Sequence, residues 1–183
     1  MGPRTILVDG YNVIRNLPGL AAAERVSLRN GREALLQQIA ARYRHTPHRI
    51  IVVFDGNGEE ESTQALPGMA RGQVIYSRAG ESADEVIRRL CEQEQKTGTD
   101  CVAVSDDYEV RSGVQTVGAR GAGVQDLARK MNEPSRYQRR NYQHRTYLKH
   151  QWEADGNTLP NSPNGHQTAG KLKRRSRRDD FPG

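Results

Sequence analysis

The chain has 183 residues, 34% of them hydrophobic, and a mean hydropathy of −0.85, which suits one domain of ordinary size with an appendage. No apolar run approaches the roughly 20 residues that a membrane-spanning helix requires, and Cys91 and Cys101 do not have the spacing of a zinc site. We therefore expect a cytoplasmic protein without a membrane segment, in which the two cysteines are reduced and lie in the core or on a helix face.

The basic charge is concentrated in the last quarter of the chain. Residues 1–132 hold 17 Lys and Arg against 17 Asp and Glu, whereas 133–183 hold 11 against 5, so the net charge of +6 lies there. The stretch 155–170 is rich in Gly, Pro, Asn, Ser and Thr and cannot bury enough apolar surface to offset its ordering entropy. We predict a folded domain over 1–132, a basic and aromatic segment over 133–152, which is either a helix or an ordered arm, and a disordered basic tail over 153–183.

Apolar runs and helical patterns alternate through the first 132 residues. Strands are predicted at 5–9, 49–55, 73–77, 101–107 and 114–119, and helices around 35–43, 83–91 and 122–131. Asn30 with Glu33, and Ser82 with Glu85, have the spacing of a capping box at the start of a helix. This alternation predicts an α/β protein, a three-layer α/β/α domain with a mostly parallel central sheet.

Acidic side chains follow most of the predicted strands. Asp9, Asp55, Asp106 and Asp107 stand at the carboxyl ends of three strands, and Asp84 lies in the first turn of the helix after a fourth. Ligands of open parallel sheets bind beyond the carboxyl ends of the strands, so we expect these acids to converge. Carboxylate oxygens suit Mg²⁺ or Mn²⁺, and such ions support the hydrolysis of phosphodiesters.

Each acid also has a structural explanation of its own. Asp9 and Asp55 precede glycine and favour turns, and Asp84 complements the dipole of its helix. Asp106 and Glu109 have the spacing of a helix cap. These separate roles do not explain why all the acids fall at one end of the sheet. Their shared position therefore favours an acidic metal site.

Five short motifs resemble a known nuclease family. The segments ILVDGYNVI, VVFDG, ESADEVI, VSDDYEV and VGARG are similar, in order and spacing, to the NYN domain of the PIN-like nuclease superfamily, and most of all to its YacP-like branch. The resemblance covers roughly residues 4–131 and implies the PIN-like α/β/α fold. It also implies a metal-dependent endoribonuclease, and the branch includes enzymes associated with the ribosome.

The resemblance implies roles for particular residues of these motifs. The catalytic positions fall on Asp9, Asn12, Asp84 and Asp106. The three acids would hold one or two Mg²⁺ or Mn²⁺ ions, with Asp107 and Asp55 as supporting acids. Asn12 is neutral and able to donate, so it would orient a water molecule or a phosphate oxygen without adding to the repulsion.

The arm and the tail fit an RNA partner. Tyr137, Tyr142, Tyr147 and Trp152 recur at intervals of five among basic residues. Basic groups neutralise phosphates and aromatic rings stack on exposed bases; the alternative is a solvated helix whose tyrosines pack on the domain. The candidate RNA-binding residues are Arg120, Arg136, Arg139, Arg140, Tyr142, Arg145, Lys171, Lys173, Arg174 and Arg175.

Two hypotheses of function follow from the sequence. The first is a metal-dependent endoribonuclease that hydrolyses RNA phosphodiester bonds and acts on mRNA at the ribosome. The second is a catalytically silent module that binds RNA or the ribosome. Clustered acids favour the enzyme, because a pure binding protein gains nothing from carboxylates that repel one another.

Overall fold

The computed structural model describes residues 2–133 and 136–154, except for the side chains of 136–138. The chain divides into two units, Met1–Tyr142 and Gln143–Gly183, and the sheet lies in the first. The strands are β1 (Thr5–Asp9), β2 (Arg49–Gly58), β3 (Ser62–Ala65), β4 (Gly72–Arg78), β5 (Cys101–Val104) and β6 (Arg120–Ala122). The helices are α1 (Gly10–Asn16), α2 (Pro18–Val26), α3 (Leu28–Tyr43), α4 (Ala83–Lys96), α5 (Tyr108–Thr116), α6 (Val124–Asn132) and α7 (Arg136–Ala154).

The central sheet has the strand order β3-β4-β2-β1-β5-β6. All neighbouring strands are parallel except β3, which runs antiparallel to β4. The chain passes from β1 to β2 on one side and reaches β5 on the other, so the strand order reverses beside β1. This confirms the predicted α/β fold with a mostly parallel sheet, and it places the carboxyl end of β1 where such sheets bind their ligands.

Helices cover both faces of the sheet and create two hydrophobic cores. Ile6 and Val8 of β1 face the core formed with α1, α2, α3 and α6, whereas Leu7 faces the core formed with α4 and α5. The same alternation in β2 places Val52 on the first face and Val53 on the second. The strands are buried on both sides, which is why they consist of continuous apolar runs.

After the end of β1, a helix begins at Gly10 in place of the turn that Asp9 and Gly10 favour. The chain enters α1 directly after Asp9, and α2 follows at Pro18.

The predicted capping box of Asn30 and Glu33 is wrong, because Ser27 caps α3 and its side chain accepts a hydrogen bond from the backbone N–H of Asn30. The other predicted capping box is confirmed at the start of α4.

The strand predicted at 114–119 is wrong. Residues 114–116 are the last three of α5, in which Val110 and Val114 bury one face at helical spacing. Gly118 follows with a φ of 84°, a conformation that favours glycine, and the last strand begins only at Arg120. The β-branched residues Val114, Thr116 and Val117 favoured the prediction of a strand, although the first two of them complete an amphipathic helix.

Most of the arm predicted at 133–152 belongs to α7, which runs from Arg136 to Ala154 and so includes the first two residues of the predicted tail. The rest of the predicted tail, 155–183, lies outside the described residues, and so do Lys171, Lys173, Arg174 and Arg175. Within the described part of the chain, no helix combines the length and apolarity needed to cross a bilayer. Cys91 and Cys101 are both buried and free, with their Sγ atoms 3.2 Å apart.

Candidate active site

Asp9 lies at the centre of the carboxyl edge of the sheet. It is the last residue of β1 and the N-cap of α1, and its side chain is almost fully buried. Its Oδ1 accepts a hydrogen bond from the backbone N–H of Asn12 at 3.2 Å, and its Oδ2 accepts one from the hydroxyl of Ser105 at 3.0 Å. Burial raises the pKa of Asp9, and the charges of Asp55 and Asp107 add to this effect against the two hydrogen bonds.

Ser105 connects Asp9 to the next strand end. It follows β5 and is fully buried. Its Oγ donates to Asp9 and accepts a hydrogen bond from the backbone N–H of Asp107 at 3.1 Å. Asp107 is the N-cap of α5 and accepts from the backbone N–H of Glu109 at 2.7 Å. Sequence reasoning missed Ser105; the signal was a polar residue placed between a buried strand and two acids.

Asp84 stands at the second position of α4, whose start is held by the capping box of Ser82 and Glu85. The N-terminus of a helix favours a negative charge. Nevertheless the pKa of Asp84 is raised to about 6, first by burial and then by the charges of Asp9, Asp107, Asp55 and Glu109. The helix dipole is therefore outweighed by burial and by the other acids at this edge.

Asp55 joins this group from β2. Its Oδ1 accepts a hydrogen bond from the backbone N–H of Ala83 at 2.8 Å, which fixes the start of α4 against the end of β2. Its charge acts on both Asp9 and Asp84. Asp55 thus has a structural role and is also one of the acids that repel one another at the carboxyl edge.

Asp106 points to a different neighbour. Its Oδ1 accepts a hydrogen bond from the backbone N–H of Val124, the first residue of α6, at 2.9 Å. Its own N–H donates to Oδ1 of Asn12 at 2.9 Å. Asp107, rather than Asp106, is among the acids whose charges act most strongly on Asp9 and Asp84. The charges of Asp55 and Asp107 therefore act on both Asp9 and Asp84, whereas the hydrogen bonds of Asp106 link Asn12 to α6.

Asn12 is held in one orientation by these bonds. Its Oδ1 accepts from the backbone N–H of Asp106, and the amide nitrogen of Asn16 lies 3.4 Å from the same oxygen. The amide nitrogen of Asn12 is consequently the end that donates to other groups. A neutral donor thus stands among acids at the edge of the sheet.

The acids fit a divalent cation by their chemistry. Oxygen donors are the ligands that Mg²⁺ and Mn²⁺ prefer, and the charges that act most strongly on Asp84 are all negative. Among residues 2–133 and 136–154, no group of three or more His, Cys, Asp or Glu side chains is already arranged to hold a metal ion. An ion would therefore have to draw the carboxylates closer than they stand, and it would relieve their repulsion.

Arg120 lies away from this edge. It is the first residue of β6, in register with Val102 of the parallel strand β5, so it occupies the amino edge of the sheet. Its Nη2 donates to both carboxylate oxygens of Asp100 at 2.7 Å. Arg120, a candidate RNA-binding residue, therefore lies at the edge of the sheet opposite to the acids, where it is paired with Asp100.

The remaining candidate RNA-binding residues that the structure describes lie on α7. Arg139, Arg140, Tyr142 and Arg145 are exposed. Nη2 of Arg139 lies 3.8 Å from a carboxylate oxygen of Glu133. Arg136 is the first residue of the helix.

Comparison with known proteins places the chain in a family. The sequence profile of the YacP-like NYN domain matches residues 6–161. The chain belongs to the YacP-like NYN domain family. This family is part of a superfamily of nucleases, which gives its members a nuclease-type function related to RNA, and PIN-like nucleases generally use divalent metals.

Individual members of the family match along most of their length. YacP of Bacillus subtilis (strain 168) is 29% identical over 126 residues, which is 69% of this chain and 74% of that protein. The crystal structure of Rae1 (YacP) from Bacillus subtilis matches with a TM-score of 0.61 and 28% identity over 83% of this chain and 84% of that one. A mutant form of the same protein matches with a TM-score of 0.62 and 26% identity over 81% and 84%.

Proposed function

We propose that this YacP-like NYN protein is an endoribonuclease that requires Mg²⁺ or Mn²⁺ and hydrolyses phosphodiester bonds in RNA. The observation that supports the proposal is the position of Asp9, Asp55, Asp84 and Asp107 at the carboxyl edge, where the charges of Asp55 and Asp107 help to raise the pKa of both Asp9 and Asp84. Mutual repulsion of this kind lowers stability, and perturbed acids of this kind concentrate at functional sites. The family supports the nuclease class.

Three of these acids are the proposed metal ligands. Asp9 and Asp84 keep the metal-binding role that the family resemblance implies, and Asp107 is proposed as the third ligand in place of Asp106 because its charge acts on both. Asp55 supports the ligands from β2. When bound, a divalent ion activates water for attack and neutralises charge that develops on the phosphate.

The protein's own residues position the substrate and the acids. The amide nitrogen of Asn12 is proposed to donate to a phosphate oxygen or to the attacking water, since its Oδ1 is occupied by Asp106 N–H. Ser105 is proposed to hold the carboxylate of Asp9 and the backbone of Asp107 in one geometry. Such fixed donors contribute to catalysis because they need no reorganisation during the reaction.

The test of this function is cleavage of a labelled RNA by the purified full chain with Mg²⁺, with Mn²⁺ and with EDTA. We expect cleavage only with a divalent ion, and a loss of at least about 100-fold in kcat/KM for Asp84→Asn and Asp9→Asn. Cleavage in EDTA, or equal rates for these variants, contradicts the proposal. RNA binding without cleavage under any of these conditions would instead support the silent binding module.

The choice between the two adjacent acids has its own test. Asp107→Asn should remove a metal ligand and reduce cleavage as strongly as Asp84→Asn. Asp106→Asn keeps an oxygen that can accept from Val124 N–H, so it should leave most of the activity. A greater loss of cleavage in Asp106→Asn than in Asp107→Asn would show that Asp106, and not Asp107, is the metal ligand.

A thermal shift provides a readout of metal binding that does not depend on activity. Mg²⁺ or Mn²⁺ should raise the Tm of the wild-type chain at pH 8 by mass action. The shift should be absent in Asp84→Asn. An equal shift in this variant would show that the ion binds elsewhere.

We further propose that the RNA substrate is mRNA on the ribosome. The basic charge of 133–183 supports this, because phosphate contacts supply sequence-independent affinity for RNA. The test compares cleavage of an mRNA during translation with cleavage of the same naked mRNA, together with co-sedimentation of the chain with ribosomes. Equal rates on both substrates and no co-sedimentation at low salt would remove the ribosome from the proposal.

A further inference from the structure

Tyr108 is an aromatic residue on the surface of the domain. Its exposed fraction is 76%, whereas Tyr11, Tyr43, Phe54 and Tyr76 pack against the core of the domain. Within residues 2–133, Tyr108 is the only tyrosine, phenylalanine or tryptophan that is exposed. The ring therefore makes little contribution to packing, and its exposure calls for another explanation.

The position of Tyr108 connects it to the candidate active site. It is the first residue of α5 and follows directly after the N-cap, Asp107. The residue on its other side is Glu109, and the charges of both neighbours act on Asp84. Consecutive Cα atoms are only about 3.8 Å apart, so the backbone of Tyr108 is part of the rim of the acidic site.

The backbone around Tyr108 is firmly held. The backbone N–H of Asp107 donates a hydrogen bond to Oγ of Ser105, and this hydroxyl donates to the carboxylate of Asp9. The side chain of Asp107 accepts a further hydrogen bond from the backbone N–H of Glu109. These bonds fix the start of α5 relative to the end of β1. The ring of Tyr108 is therefore presented to solvent from a rigid point rather than from a loose loop.

The negative charge of the acidic site indicates how the exposed ring of Tyr108 could contribute to RNA binding. Carboxylates repel the phosphates of a nucleic acid, so the acidic side chains themselves add no affinity for the backbone of the RNA. An aromatic face binds a base through stacking, which needs no charge and accepts any base. Stacking requires the base to leave its neighbours, which single-stranded RNA allows and a duplex opposes.

We propose that Tyr108 stacks on an unpaired base next to the scissile phosphate, and that the chain therefore prefers single-stranded RNA at its cleavage site. This inference rests on the proposed nuclease function. Tyr108 is a substrate-positioning residue in this scheme and takes no part in metal binding or proton transfer.

The first test compares Tyr108→Ala with Tyr108→Phe in cleavage of an unstructured RNA oligonucleotide. The alanine variant should lose roughly 5- to 100-fold in kcat/KM, mostly through a higher KM, because the stacking surface is gone. The phenylalanine variant keeps the ring and should remain within about twofold of the wild type. Val26→Ala is the matched control, since Val26 is equally exposed, on α2, and it should have no effect.

The same variants test the preference for single strands. The wild type should cut the oligonucleotide at least about tenfold faster than the same sequence in a duplex, and Tyr108→Ala should narrow that difference. Equal cleavage of single strand and duplex by the wild type, or unchanged kinetics in Tyr108→Ala, would overturn the inference.

The second test uses photo-crosslinking in EDTA and so does not depend on cleavage. An RNA oligonucleotide that contains 5-iodouracil should crosslink to the tryptic peptide Thr97–Arg111, in which Tyr108 is the only aromatic residue. A crosslink to Tyr108 in a protein that fails to cut RNA would support stacking and refute the nuclease. Metal-dependent cleavage without this crosslink would support the nuclease and refute the role of Tyr108.

Discussion

Asp84 combines a favourable position with an unfavourable charge. The N-terminus of α4 favours an anion there, but burial and the neighbouring acids raise its pKa from 3.8 to about 6. An acid with a raised pKa binds more protons in the folded than in the unfolded state. Without metal, its contribution to stability is therefore greatest below pH 3.8 and is lost as the pH rises to about 6.

Asp84→Asn should consequently stabilise the metal-free chain at pH 8. We expect a gain of about 1 kcal/mol, reduced from the full effect by solvent screening, or about 2–4 °C in Tm. The gain should shrink toward pH 4, where Asp84 is protonated in the wild type. Thermal unfolding in EDTA at both pH values measures it.

Asp126→Asn is the matched control for this prediction. Asp126 also lies in the first turn of a helix, α6, but it forms an ion pair with Arg129. Its replacement should leave stability unchanged or slightly lower at both pH values. A gain as large as that of Asp84→Asn would show that the acidic cluster is not the cause.

Ser105→Ala removes the donor to Asp9 and the acceptor of Asp107 N–H at one position. Leaving buried polar groups without a partner should cost about 1–3 kcal/mol in the free energy of unfolding. The loss should be larger at pH 8 than at pH 5, because the hydrogen bond stabilises the charged form of Asp9. Urea denaturation measures this, with exposed Ser62→Ala on β3 as a control that should change little.

At the scale of the elements, α1 begins where β1 ends because Gly10 has no side chain. A Cβ at this position would lie 2.2 Å from Cε1 of Phe54, a buried ring of β2. The ring packs edge-on against Tyr11 as well, with centroids 5.1 Å apart. This close approach is what allows Asp9 to end a strand and cap a helix at once.

Gly10→Ala should destabilise the chain by about 1–3 kcal/mol, because the core around Phe54 has to shift to accept the added methyl group. Gly19→Ala in α2 is the control: a Cβ there meets no atom within 4 Å. Alanine favours a helix over glycine by up to about 1 kcal/mol, so this variant should gain stability. Chemical denaturation measures the free energy of unfolding of both variants. Equal changes in this free energy would contradict a steric role for Phe54.

At the scale of the whole molecule, charge is divided between the domain and the C-terminal quarter. Residues 1–132 are neutral overall, and the net charge of +6 lies in 133–183. The acidic edge of the sheet does not attract RNA over a distance, because its carboxylates repel phosphates. We therefore assign long-range attraction to the basic residues of the C-terminal quarter, whose contribution should fall as salt screens it.

Replacing the six Lys and Arg residues of 171–178 by Gln should weaken RNA binding at low salt. The slope of log affinity against log salt should decrease by about 0.7 for each phosphate of a single strand that the variant no longer neutralises. Fluorescence anisotropy at several salt concentrations measures this, with the Tm of the domain expected to stay the same. Unchanged affinity at low salt would remove this segment from the account of binding.

Much of the site could be predicted from local patterns. The acids at the strand ends, the capping box of Ser82 and Glu85, and the helix containing Asp84 depend on spacing within a few residues. The YacP-like NYN motifs added the family, which the comparison confirms. Local spacing does not distinguish the adjacent Asp106 and Asp107, because the hydrogen bond of Asp106 to Val124 N–H and the action of the Asp107 charge on Asp9 both arise from the tertiary structure.

The amino-acid sequence was sufficient for the class of fold, since continuous apolar runs require strands covered on both faces. It also placed the acids at one edge, since parallel strands end together. Only the tertiary structure joined Ser105 to Asp9, set Gly10 against Phe54, and paired Arg120 with Asp100 at the opposite edge. Contacts between residues distant in the chain depend on strand order and register, and no local spacing encodes those.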